Sequence, residues 1–311
     1  MSLPSQRPPL LVILGPTAVG KTTLAIELAE KIGGEIVSVD SRYFYRGMDI
    51  GTAKPTFEER ERVPHHLIDV ADPDETWSLA IFQEAAQQAI ADIAARGRLP
   101  MLVGGTGQYI RAITEGWRIP KQEPDHRLRD ALERWAQEIG HDGLHQRLQV
   151  IDPQAAQQID SRNLRRTVRA LEVTLNTGKR FSEQRQRGAS PYNLLQVGLT
   201  RPRPILYERI DARIDAMLQA GFMDEVRDLL EAGYPPDLPA FSAIGYSQMI
   251  QVLQAEISLD EAVMLMKRLT RQFVRRQANW FKPDDPDIHW FSVELGSVDE
   301  IEKLVREYFD W

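Results

Sequence analysis

Not one of the 311 residues is cysteine, and that absence removes disulfide staples, thiolate metal sites and thiol nucleophiles together. Long apolar runs are missing as well: no stretch approaches the roughly 20 residues that a membrane-crossing helix needs. Residues 1–9 are polar, carry Pro4, Pro8 and Pro9 and hold no apolar core of the kind a signal peptide requires. There is no internal repeat and no low-complexity segment, which excludes a solenoid or a fibrous chain. What remains is 42% hydrophobic and 27% charged, enough for one large domain or two modest ones with real cores. The expectation is a cytoplasmic protein with no membrane partner, in keeping with a reducing compartment.

A net charge of −7 argues against a polyanionic partner when taken as a total. Its distribution argues the other way. Between Asp160 and Gly188 the basic residues Arg162, Arg165, Arg166, Arg169, Lys179, Arg180, Arg185 and Arg187 face three acids, Asp160, Glu172 and Glu183. Between Lys267 and Lys282 stand Lys267, Arg268, Arg271, Arg275, Arg276 and Lys282 with no acid at all. One such run reads most simply as a solvated helix face; two in an acidic chain point toward a polyanion.

Gly15-Pro16-Thr17-Ala18-Val19-Gly20-Lys21-Thr22 fits the pattern Gly-x-x-x-x-Gly-Lys-[Ser/Thr], between the apolar run Leu10–Leu14 and a helical stretch that begins at Lys21. Glycines let the backbone curl so that N–H groups point at phosphate oxygens, the helix adds its positive N-terminal end, and Lys21 adds a point charge. A di- or triphosphate is therefore the expected ligand. Kinases, ATPases, GTPases and some transferases all hold phosphates in this way, so the reaction must be decided elsewhere.

Short apolar, β-branched runs recur at 10–14, 36–39, 67–70, 100–103, 194–199 and 288–291. Helical periods such as 21–32 and 78–95 separate them, so the alternation predicts an α/β fold, a three-layer phosphate-loop core around a mostly parallel sheet. The ligand loop then lies at the strands' carboxyl ends. Strand-like runs vanish between about 122 and 190, where amphipathic patterns at 125–139, 141–150, 153–159 and 163–177 predict a helical insertion. The core is thus expected from 1–121 and 191–311, the insertion from 122–190. Helix signals resume from 204 to 282, with breaks at 234–236 and at Gly245, before a last strand and a helix at 297–309.

Asp40 closes the second strand-like run, where an acid beside a phosphate loop accepts a proton or holds Mg²⁺ through water; the bland alternative is a turn cap. Asp69, in Leu67-Ile68-Asp69, is a weaker candidate for the same work. The fourth run leads into Gly104-Gly105-Thr106-Gly107-Gln108-Tyr109, where bare backbone admits a close substrate and the Thr106 hydroxyl can reach a phosphate oxygen.

Taken together, Gly15–Thr22, Val39-Asp40-Ser41, Gly47–Pro55, Pro64–Val70, Val103–Gly107, Arg169–Val173, Ile244-Gly245-Tyr246 and Arg276-Gln277-x-x-Trp280-Phe281 resemble the bacterial tRNA dimethylallyltransferase (tRNA isopentenyltransferase) family, in its order and over nearly the whole chain. The resemblance implies transfer of the dimethylallyl group from dimethylallyl diphosphate to N6 of the adenosine just 3′ of the anticodon, in tRNAs that read codons beginning with U. It implies a monomer whose partners are that donor and the anticodon stem-loop of tRNA, with Mg²⁺ at Thr22 and, through water, Asp40. By the same resemblance Gly15, Pro16, Thr17, Ala18, Val19, Gly20, Lys21 and Thr22 bind the diphosphate, and Asp40, Thr106 and Lys21 are catalytic. Asp40 takes the N6 proton, Thr106 contacts the leaving oxygen and Arg127 stands near the substrates. The tRNA contacts fall on Asp40, Ser41, Arg42 and Tyr43; on Arg165, Arg166, Thr167, Val168 and Arg169; on Ser242, Ala243, Ile244, Gly245, Tyr246 and Ser247; and on Arg275, Arg276, Gln277, Ala278, Asn279, Trp280, Phe281 and Lys282. The chain departs from the family pattern at Tyr43, Gln108, Ser242 and Ser247.

The residue types suit that chemistry on their own terms. An exocyclic adenine amine is a poor nucleophile that a carboxylate assists, and a departing diphosphate gains charge that Lys21, loop N–H groups, Mg²⁺ and Thr106 are of a type to stabilise. A base must leave its stack to enter a pocket, which calls for arginines on the phosphates and apolar surfaces such as Trp280 and Phe281. A small-molecule kinase would share the loop but leave both basic runs without a purpose. A guanine-reading switch would need Asn-Lys-x-Asp, which the chain lacks.

Overall fold

A computed structural model describes residues 7–117, 119, 125–184, 188–293 and 297–311. The chain divides into two compact units, Met1–Thr114 with Ser190–Trp311, and Glu115–Ala189.

The first unit opens with β1 (Pro9–Leu14), α1 (Lys21–Ile32), β2 (Gly34–Val39), α2 (Phe57–Arg62), β3 (His65–His66), α3 (Leu79–Ala95), β4 (Leu99–Gly104) and α4 (Gly107–Thr114). The second unit supplies α5 (His126–Ile151), α6 (Pro153–Gln158), α7 (Leu164–Thr177) and α8 (Phe181–Gln184). The chain then returns to the first through β5 (Asn193–Thr200), α9 (Arg203–Gln219), α10 (Phe222–Glu231), a 3₁₀ turn (Pro239–Ser242), α11 (Tyr246–Leu253), α12 (Leu259–Gln277), β6 (Ile288–Ser292) and α13 (Ser297–Phe309).

The strands form one sheet in the order β3-β2-β4-β1-β5-β6, and its pairings among the described residues are parallel. Leu10 through Leu14 are all fully buried because β1 lies mid-sheet with helices on both faces, which is why it reads as an unbroken apolar run. Leu11 and Ile13 pack into a core with α1 and the helices of the C-terminal segment. Leu10, Val12 and Leu14 pack on the other face with Phe82, Ile90 and Ile113 of α3 and α4. The architecture is a three-layer α/β sandwich.

One predicted strand is corrected. The apolar run at 67–70 is not β3, which pairs only through His65 and His66 with Ile36 and Val37. Leu67 and Asp69 take left-handed backbone, φ 63° and 55°, a conformation incompatible with a strand. The carboxylate of Asp69 is drawn instead to the buried Lys54 ammonium at 2.6 Å and to Arg60 at 2.7 Å. The backbone of Asp69 and Val70 then donates to the carbonyls of Tyr43 and Phe44, fastening the segment that follows β2.

The second unit has a core of its own, with Leu132, Leu144, Leu148, Val168 and Leu171. The two helices expected at 125–139 and 141–150 run together as α5, kinked where Gly140 leaves helical geometry at φ 80°, ψ 160°. Asp152 caps α6 through the Ala155 N–H at 3.0 Å and accepts from the Ser182 backbone at 2.8 Å, tying α8 to α6.

Candidate active site

The loop between β1 and α1 turns its carbonyls toward cations. The ammonium of Lys21 donates to the Gly15 and Pro16 carbonyls at 3.1 and 2.9 Å. Arg209 holds the Ala18 carbonyl at 2.7 Å and Arg201 the Val19 carbonyl at 2.8 Å. Ala18 is held at φ 66°, strained backbone of the kind that ligand-binding loops retain. Gly20 precedes α1 at φ 110° and puts no side chain on the helix's first N–H groups, which leaves that positive end to a ligand.

The loop forms one wall of a cavity of about 480 Å³ that also receives Asp40, Ser41, Arg42 and Tyr43 after β2, Thr106 and Gln108 after β4, and Ser242, Ala243 and Ile244 beside α11. All of its lining residues belong to the first unit. Parallel strands that end at one edge of the sheet explain the convergence. Asp40 accepts from the Arg42 backbone N–H at 3.0 Å, so it caps its turn and faces the cavity as well. Burial pushes its carboxyl above the usual range against the opposing pull of that N–H and of the Lys21, Arg42 and Arg213 charges. Burial lowers Lys21 to about 8; the Asp40 carboxylate resists this and the Arg213 charge adds to it. Asp69 is not among the cavity residues, and its ion pairs with Lys54 and Arg60 give it a structural place.

The glycines after β4 serve close packing. A Cβ on Gly104 would lie 2.3 Å from the Val39 carbonyl oxygen, one on Gly105 2.4 Å from the Gln277 amide nitrogen, and one on Gly107 2.3 Å from the Trp280 ring. Gly105 and Gly107 thus admit the close approach of α12 and the residues after it while still lining the cavity. Gln277 is buried; its Oε1 accepts from the Thr17 N–H at 2.9 Å and its Nε2 donates to the Gly105 carbonyl at 3.1 Å. The Trp280 carbonyl accepts from Arg111 at 2.6 Å, with that guanidinium 5.8 Å from the indole centroid.

The residues expected to meet RNA separate into exposed and interior groups. Arg275, Arg276, Ala278, Asn279 and Lys282 are exposed, whereas Gln277 and Phe281 are buried. Phe281 belongs to the hydrophobic core, and Trp280 lines the cavity. Lys267 and Arg271 of the same basic run are paired with Asp215 and Asp211 of α9. Tyr246 is fully buried with its hydroxyl on Glu225 at 2.6 Å, Gly245 is buried beneath Phe222, and Ser247 accepts from Gln248. Arg42 donates to the Ala240 carbonyl and the Ser242 hydroxyl, both at 3.0 Å, and the Tyr43 hydroxyl to the Ala53 carbonyl at 2.9 Å. In the second unit Arg127, Arg165 and Arg166 are exposed. Thr167 and Val168 are buried, and Arg169 pairs with Glu172 at 2.8 Å. Arg185 and Arg187 lie outside the described residues.

Sequence reasoning did not single out Arg209, Arg213 or the inward role of Gln277. The four-residue spacing of Arg209 and Arg213, which puts both on one face of α9, was an available signal. For Gln277 there was none, since a glutamine between exposed arginines reads as surface.

A family model described as IPP transferase matches residues 43–284. The chain belongs to that family. A second model, described as Isopentenyl transferase, matches residues 8–70. A tRNA dimethylallyltransferase of Roseiflexus sp. (strain RS-1) is 57% identical over 97% of this chain and 99% of its own length. One of Thermomicrobium roseum is 50% identical over 98% and 94%. Among solved structures, the tRNA isopentenylpyrophosphate transferase of Bacillus halodurans superposes with a TM-score of 0.72 at 41% identity, covering 97% of each chain. A eukaryotic dimethylallyltransferase acting on tRNA reaches 0.80 at 28% identity, over 96% of this chain and 77% of that one.

Proposed function

We propose that this protein transfers the dimethylallyl group of dimethylallyl diphosphate to N6 of the adenosine 3′-adjacent to the anticodon in tRNAs that read codons beginning with U. The observation that carries the reading is one cavity onto which the glycine-rich loop, the Asp40 carboxylate and Thr106 converge from different walls, in a chain of this family.

In the proposed reaction N6 attacks C1 of the prenyl group as the C1–O bond breaks. The electron pair leaves with the diphosphate, and the N6 proton passes to the Asp40 carboxylate. A carboxyl raised by burial is a better-matched proton acceptor than an ordinary one while it remains ionised near neutral pH. Charge that develops on the leaving oxygens meets the N-terminal end of α1, Lys21 and the Thr106 hydroxyl, all of which line the cavity or open onto it. Thr22 and Asp40 offer hard oxygen donors on the same cavity, and among the described residues no cluster of three or more His, Cys, Asp or Glu is suited to hold a metal. That donor set fits Mg²⁺, which Thr22 would hold directly and Asp40 through water, and which would neutralise charge on the leaving diphosphate.

Each unit brings its own exposed arginines to the RNA, Arg275 and Arg276 in the first and Arg165 and Arg166 in the second, where Arg127 is exposed too. The buried Thr167, Val168, Tyr246 and Phe281 act behind that surface as packing. No helix among the described residues is long and apolar enough to cross a membrane. The test is incubation of an unmodified anticodon stem-loop with dimethylallyl diphosphate and mass spectrometry of its nucleosides. The expected product is an adenosine heavier by one C₅H₈ unit at that position; ATP turnover with no prenyl transfer overturns the reading.

A further inference from the structure

The amide of Gln277 bridges the two segments that would grip a diphosphate. On one side it takes the N–H of Thr17, in the phosphate loop; on the other it donates to the carbonyl of Gly105, the residue before Thr106. Both contacts cross more than 170 positions of sequence, and the side chain is only 8% exposed. Its neighbours Arg275 and Arg276 are exposed. The close approach of the amide to Gly105, where a Cβ would stand 2.4 Å from its nitrogen, shows that the turn is shaped around this glutamine.

We propose that Gln277 is a positioning residue for the donor and makes no contact with RNA: its amide clamps the phosphate loop to the Gly105 turn and sets the width of the slot in which a diphosphate lies between the end of α1 and Thr106. Because the Thr17 N–H is consumed by this clamp, the diphosphate is left to the N–H groups that follow it in the loop. The role rests on the prenyl-transfer reading for its substrate, but the clamp itself is independent of the acceptor.

Two substitutions separate clamp from filler. Gln277→Met keeps the length and loses both hydrogen bonds. Inorganic pyrophosphate binding, measured by calorimetry on the full chain, should weaken roughly fivefold to fiftyfold, the loss expected from two hydrogen bonds of ordinary net strength. The KM for the prenyl donor should rise in parallel, while stem-loop affinity without donor stays within about twofold, which also reports that the variant is folded. Gln277→Glu tests the donor half of the clamp. Its carboxylate would still accept from Thr17 but face the Gly105 carbonyl without a proton; once protonated it can both accept and donate. Lys21, Asp40, Arg209, Arg213 and Arg276 line the same cavity and titrate or carry charge in the parent too, so the comparison is the ratio of variant to parent at each pH. That ratio should recover as pH falls from 8 to 6. Weakened stem-loop binding with unchanged pyrophosphate affinity overturns the proposal in favour of an RNA contact, and a defect of both variants that ignores pH overturns it in favour of a space-filler. Pyrophosphate binding needs no prenyl transfer, so a clamp that fails and a reaction that fails give different results.

Discussion

Asp40 and Lys21 oppose each other in pH. A base works only when ionised, and the Asp40 carboxyl is raised by burial, so kcat/KM for the donor should climb as pH rises through a value above the ordinary carboxylate range. Lys21, lowered to about 8, is charged below that value and neutral above it, so the profile should descend beyond about pH 8. Lys21→Arg, which stays charged, should carry the descending limb upward; a limb that does not move assigns it to another group. Asp40→Ala should lower the single-turnover rate by roughly 10²–10⁴ with donor binding nearly intact, as followed by rapid quench. Thr106→Ala should slow the same step by roughly tenfold to a thousandfold if its hydroxyl meets the leaving oxygen. At this scale the phosphate loop was legible because its backbone demands particular residue types. The turn cap and the proton acceptor were posed as alternatives for Asp40, yet one carboxyl oxygen accepts from Arg42 while the residue still faces the cavity. Gln277 was not legible, because the partner that pulls it inward stands 260 positions away.

Among the elements, the central strands and the β6 edge were legible and the β3 edge was not. A run such as Leu10–Leu14 has few alternatives when both faces are covered, whereas the 67–70 run was redirected by a charge, the Lys54 ammonium. That ammonium, its side chain only 2% exposed, takes Asp49 and Asp69 at 2.6 Å each. Lys54→Ala removes the cation from two carboxylates and should cost about 3–5 kcal/mol, measured by urea denaturation; a loss under about 1 kcal/mol would mean the segment is held by its backbone bonds alone. The basic character of α12 was also only half readable. Lys267 and Arg271 are taken by carboxylates of α9, while Arg275, which reaches the Tyr207 hydroxyl, and Arg276 remain exposed. Replacing Arg275 and Arg276 by Ala should therefore weaken stem-loop binding and flatten its salt dependence by about two units of slope.

For the molecule as a whole, the loss of strand signals in mid-chain pointed to a separate helical body, and charge counting pointed to RNA there. Charge counting could not say which arginines are engaged at home: Arg169 neutralises Glu172 while Arg165 and Arg166 face outward. Substituting those two together should flatten the salt slope as the α12 pair does; an unchanged titration would make the second unit's arginines a solvated face.

The strand order carries a consequence for how the protein is made. β1 is paired on one side by β4 and on the other by β5, and the whole helical unit lies between those two partners in the chain. During synthesis β1 through β4 emerge and can pair while the far edge of β1 waits, its leucine-rich length exposed, until Asn193–Thr200 has left the ribosome. An open apolar edge is a template for wrong partners. Nascent chains arrested at Ala189 should accordingly be protease-sensitive and bound by chaperones, and those long enough to release β5 and β6 should become resistant in one step. Resistance already present at Ala189 would show that the first four strands are sufficient by themselves.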